Sequence, residues 1–97
     1  MSVYIKQGVM GNLTNPAQKG FGKVATLHEI NGEDYFITSL QEGNHSYGSL
    51  HPRGDAWDAK KGGVSLVEIR VALGDNFDVV GYVVNGKDYV HIEYDPK

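Results

Sequence analysis

The 97 residues predict an α+β domain built on a small, mainly antiparallel sheet with two helices, and three observations carry that expectation. Asn85-Gly86 separates two runs rich in β-formers, Val79–Val84 and Tyr89–Tyr94, and Asn-Gly suits a tight hairpin turn whose central residues both need positive φ. Asn15-Pro16 opens a stretch with apolar residues at helical spacing. Ser65 to Leu73 reads as a second, shorter helix with Gly74 as its C-cap. The resulting order is helix, strand, loop, short strand, helix, hairpin, which suits helices segregated onto one small sheet.

Taken in order, Met1–Thr14 shows little pattern and reads as an N-terminal extension of a single domain over 1–97. Asn15 is placed to cap the first helix, Pro16 suits its first position, and Gln18 stands where a capping box wants it. Phe21, Val24, Leu27 and Ile30, or His28 beside it, form its apolar stripe; Gly20 and Gly22 work against the helix, and Asn31-Gly32 stops it. Tyr35–Thr38 is a strand of β-formers. Gln41–Arg53 is a long irregular stretch holding two of the four histidines, and a loop of that length in a small domain is more often functional than idle. Ala56–Asp58 is a short strand, with Trp57 pointing into the core, and Lys60–Gly63 is a polar turn. His28 reads as structural, and Tyr82 and Tyr94 as packing residues.

Composition narrows the function classes. A chain of this length buries only about 60–65% of its unfolded surface, so small domains often need a disulfide or metal staple. There is no cysteine, which excludes disulfides, thiol nucleophiles and Cys-ligated metal sites. A metal would have to be held by the four histidines and twelve acids. Net charge is −3 with no run of Lys or Arg, so the footprint of a nucleic-acid binder is missing. The start MSVYIKQGVMG lacks the apolar core of a signal peptide, and no apolar stretch approaches the ~20 residues needed to span a membrane. A soluble product made in the cytoplasm is expected.

Two segments carry chemistry: Ser49-Leu50-His51-Pro52-Arg53-Gly54-Asp55-Ala56-Trp57-Asp58 and Asp88-Tyr89-Val90-His91-Ile92-Glu93-Tyr94-Asp95. A hydrolytic zinc site takes three His or carboxylate ligands and leaves a fourth position for water. His51, Asp58 and His91 can supply that set: Gly54 lets the chain turn between the first two, and strand alternation puts His91 on the face away from Val90 and Ile92.

The pattern Ser-x-His-x-x-Gly-x-Ala-x-Asp, followed by acid-x-x-His, resembles the zinc D-Ala-D-Ala carboxypeptidase and L-alanyl-D-glutamate endopeptidase family. These are peptidoglycan peptidases, many from phages and prophages, which share a fold with the hedgehog signalling domain. Ser49, His51, Gly54, Ala56 and Asp58 fill the fixed positions of the first motif, and the resemblance covers roughly Asn15 to Pro96. It implies zinc held by His51, Asp58 and His91, with Asp88 as catalytic acid/base and Glu93, on His91's face, as the fallback. It also implies a peptidoglycan peptide as substrate, reached after phage-mediated release. Ser49, Arg53, Tyr89 and His45 are the candidate substrate contacts. The family usually has Glu where Asp88 stands, and alternation puts Asp88 opposite His91 unless the strand bends at its start. The family also often carries an Arg after its first strand, where this chain has Thr38-Ser39-Leu40-Gln41. Two alternatives follow: a zinc-binding domain with impaired catalysis that binds wall peptides or serves as a phage structural module, and a metal-free interaction domain.

Overall fold

The computed structural model describes residues 3–9, 11–40 and 54–96. Among the described residues the elements run in the order β1 (Val3–Ile5), α1 (Asn15–Ile30), β2 (Tyr35–Ser39), β3 (Ala56–Lys60), α2 (Leu66–Leu73), β4 (Phe77–Val84) and β5 (Lys87–Tyr94). The strands form one sheet in the order β1-β2-β3-β5-β4, antiparallel except where β1 pairs with β2. Both helices pack on one face of it, so the α+β class, the two helices and the mainly antiparallel sheet agree with the sequence.

The core lies between the layers. Ile37, Trp57, Ala59, Val79, Val90 and Ile92 from the sheet meet Ala17 and Val24 of α1 and Ile69 and Leu73 of α2. Trp57 is fully buried, as its position beside Asp58 predicts, and its Nε1 donates to the Tyr35 hydroxyl at 2.7 Å. That bond matters because a buried indole N–H without an acceptor would be costly.

Helix α1 begins one residue earlier than expected. Thr14, not Asn15, is the N-cap, and its hydroxyl makes no capping bond. It donates instead to Asp55 Oδ1 at 2.6 Å, while Thr14 N–H donates to the Gly54 carbonyl, tying the helix start to the approach to β3. Gln18 closes no capping box; its amide donates to the Leu13 carbonyl. On the apolar stripe His28 takes the place offered to Ile30, which is 76% exposed. His28 is structural: buried against Tyr35, with Nδ1 2.9 Å from the Val24 carbonyl. Helix α2 follows its sequence signals closely, with Ser65 and Glu68 forming a capping box and Gly74 at φ 84° closing it.

Two boundaries shift. Lys60 belongs to β3 rather than to a turn, because its backbone is paired opposite Tyr89. The N-terminal segment contributes β1, for which the sequence gives no periodic signal: three residues, all exposed. The hairpin forms as predicted, with Asn85 at φ 52° and Gly86 at φ 78° between paired Val84 and Lys87. Among the described residues no helix is long and apolar enough to cross a membrane.

Candidate metal centre and the groove beside it

Strand alternation sorts β3, β4 and β5 into two faces. Trp57, Ala59, Val79, Val90 and Ile92 point to the helices. Asp58, Lys60, Val80, Tyr82, Tyr89, His91 and Glu93 therefore stand on the opposite face. Asp58 and His91 are direct cross-strand partners. The two residues that the sequence pairs across 33 positions are thus neighbours, with His91 Nδ1 2.7 Å from Asp58 Oδ1. On the other side of the ring His91 Nε2 lies 2.6 Å from Glu93 Oε1. All three side chains are largely shielded, at 21%, 16% and 17% exposure for His91, Asp58 and Glu93. Burial disfavours the imidazolium, but the hydrogen bonds and charges of Asp58 and Glu93 outweigh it and raise the His91 pKa above its ordinary value.

Asp58 and His91 offer two of the ligand atoms that a zinc ion could take. A zinc ion takes imidazole nitrogen and carboxylate oxygen at about 2.0–2.2 Å, which sets two tetrahedral ligands roughly 3.3 Å apart. Asp58 Oδ1 and His91 Nδ1 need only a small parting to reach that spacing, and Glu93 already stands where a carboxylate orients a ligand histidine through its second nitrogen.

The other expected residues divide. Tyr89 shares the His91 face and lines a groove beside it. Asp88 is exposed and pairs with Val83 in an unbroken register, which sets it on the face opposite His91; its backbone carbonyl accepts from Lys61 N–H at 3.1 Å. The bend that would turn Asp88 toward His91 is absent from β5. His45, Ser49, His51 and Arg53 lie outside the described residues.

The groove, of about 660 Å³, runs over this face from the Asp58 end toward β1. Tyr4 and Phe36 stack on one side with ring centroids 5.1 Å apart, and Tyr82 and Tyr89 stack on the other at 5.6 Å. Tyr82, expected to be a packing residue, lines the groove instead. Burial, then the neighbouring Asp58 carboxylate, pushes its phenol pKa far above the ordinary value. Ser39 borders the groove, with its Oγ buried, at a register shift: between Ile37 opposite Ala59 and Ser39 opposite Asp58, two residues of β2 stand against one of β3. Simple alternation from Ile37 would have sent Ser39 to the helix face, so the sequence gives no sign of this position. Asp78, Glu93 and Asp95 form a further cluster, with carboxylate oxygens within 4.8 Å of one another, that sequence reading did not single out.

Compared with known proteins, the chain matches no family model, no curated protein and no solved structure.

Proposed function

We propose that the chain is a zinc-dependent peptidase acting on peptide bonds of peptidoglycan stem peptides, with a hedgehog/DD-peptidase-like fold. The observation that carries this reading is the adjacency of Asp58 and His91, 2.7 Å apart on one sheet face, the two described members of the motif's ligand set. The element order, with a helix and strand before the motif and a helix before the closing hairpin, is also the order the resemblance implies. Zinc at this point would supply Lewis acidity, polarising a peptide carbonyl and lowering the pKa of water. Asp58 Oδ1 and His91 Nδ1 would be ligands, with His51 as the third by the motif. With zinc on Nδ1, Glu93 would accept the Nε2 proton of His91 and hold the ring in the tautomer whose Nδ1 lone pair faces the metal. Tyr89, which lines the groove on the same face, would be the hydrogen-bond donor to a developing oxyanion. Asp88 is the motif's proton carrier, and it would have to turn from its present face to act.

That last point favours a second reading. A domain that keeps the zinc and has lost catalysis accounts for an Asp88 facing away from His91 and for a Glu93 engaged with the ring.

Digestion of purified peptidoglycan with the zinc-loaded protein separates the two. On the peptidase reading new amino groups appear, Asp58→Asn and His91→Ala abolish their release, and Asp88→Ala lowers it by about 100-fold or more, the usual worth of a general acid/base. Bound zinc with no released peptide selects the binding domain. No bound zinc removes both.

A further inference from the structure

Strand β4 is the outer strand of the sheet, with no neighbour on its far side among the described residues. The hairpin fixes which backbone groups it offers there. Val84 and Lys87 flank a two-residue turn, so they form the hydrogen-bonded pair that closes it. Alternation then aims the N–H and C=O of Val80, Tyr82 and Val84 at β5, and those of Val79, Gly81 and Val83 outward. The Val79 carbonyl agrees with this, since it accepts from the Arg70 guanidinium at 2.9 Å. The outward groups of Gly81 and Val83 have no hydrogen-bond partner among the described residues.

Exposed edge strands are ordinarily blunted by a charge, a proline or a short length. Val79–Val84 carries no charge and no proline, and β4 runs for 8 residues. Strand β1 at the other edge has only 3. Apolar surface also gathers at the β4 edge. Val80, Val83 and Val84 are 53%, 64% and 47% exposed, and Val67 and Val71 of α2 are 64% and 79% exposed. Leu66 lies over Gly81 and Arg70 reaches the edge. Val67 and Val71 stand one position, or about 100°, further round the helix and so face past that edge. Exposed apolar residues grouped in this way mark an interaction surface, whereas scattered ones do not.

The partner that fits is a second copy of the chain. In an antiparallel pairing centred on Tyr82, Gly81 stands opposite the partner's Val83, and Val83 opposite the partner's Gly81. Each of these pairs exchanges two hydrogen bonds, using the outward groups that the monomer leaves unpaired. Val83 then faces a residue with no side chain to crowd it, and Val80 faces the partner's Val84. No charged side chain enters the seam, so two chains of net charge −3 meet without a like-charge pair. The pairing also ends where it should. Its next position sets Val79, whose carbonyl Arg70 already holds, against the partner's Asn85, which leaves the strand at φ 52°.

We propose that the β4 edge is a homodimer seam, in which Val80–Val84 pairs antiparallel with the same segment of a second copy. Two 5-stranded sheets become one continuous sheet, with both Asp58–His91 pairs on one side and all the helices on the other. The seam buries on the order of 1,000 Å² in total, the lower limit of a specific interface, so the dimer is weak, with a dissociation constant between about 1 μM and 1 mM. The inference does not depend on the metal centre.

Sedimentation velocity of the full chain from about 10 μM to 1 mM, with amide spectra of the ¹⁵N-labelled chain over the same range, tests it. The expected result is a monomer–dimer equilibrium. Gly81 and Val83 amides shift and exchange more slowly as concentration rises, while Tyr82 and Val84 amides are protected by β5 at every concentration. Val83→Lys, at an exposed position, places a charge from each copy in the seam and weakens association at least about tenfold. Val83→Thr, which stays uncharged and β-forming, keeps it, as does Val3→Lys on the opposite edge. A monomer throughout the range overturns the proposal. So does association that survives in Val83→Lys, or concentration-dependent shifts that spare Gly81 and Val83, because either places the contact on another face.

Discussion

At the scale of single residues, His91 is the pivot. An imidazole has two nitrogens, and here each faces a carboxylate, Asp58 across the strands and Glu93 two residues along the same strand. If Nδ1 is the ligand atom, Glu93 acts through the ring rather than on substrate. Removing its charge should then weaken metal binding without abolishing it. We expect Glu93→Gln to lower zinc affinity by about 10–100-fold in competition with a chromophoric chelator, and Asp58→Asn to lower it further. An unchanged affinity in Glu93→Gln would show that the Glu93 bond does not orient the ligand. Asp58 and His91 were legible in the sequence because the motif names them, and Glu93 because alternation over two residues fixes its face. Lys60 and Ser39 were not. A pair of lysines before two glycines resembles a turn, and the face of Ser39 depends on a bulge that no local pattern announces.

At the scale of elements, the two glycines of α1 look alike in sequence and differ in the fold. A Cβ on Gly20 would come within 2.5 Å of the Phe77 ring, and that ring is itself held between Trp57 and Tyr94 and cannot simply swing away. A Cβ on Gly22 would meet nothing within 4 Å. Helix propensity favours alanine at both, by about 1 kcal/mol. At Gly20, overpacking of about 1–3 kcal/mol opposes it. Thermal or urea unfolding should therefore show Gly22→Ala stabilised by roughly 0.5–1 kcal/mol and Gly20→Ala gaining nothing and losing up to about 2 kcal/mol. If both gain stability, α1 does not pack as closely on Phe77 as described. Elements whose ends are set by local chemistry, such as α2 with its capping box and the Asn85-Gly86 hairpin, could be read directly. The start of α1 could not, because Thr14 is held by Asp55, a residue 41 positions away. β1 was invisible because three exposed residues have no period, and its place comes from pairing with β2.

At the scale of the whole molecule, two layers assign the two faces of the sheet different work. The helices cover one face and close the core, while the other is left for Asp58, His91 and the groove. The fold class followed from the order of helices and hairpin, since helices that bury one stripe need a sheet face to bury it against. The sheet order did not follow from it, because the placement of β3 beside β5 is a long-range pairing. That pairing is what brings Asp58 to His91, so the fold and the candidate centre stand or fall together. The most direct test is anomalous diffraction at the zinc edge from crystals grown with equimolar zinc. The account predicts a peak about 2.0–2.2 Å from both the Asp58 carboxylate and His91 Nδ1. A peak seated instead among Asp78, Glu93 and Asp95, or no peak beside Asp58 and His91, would contradict it.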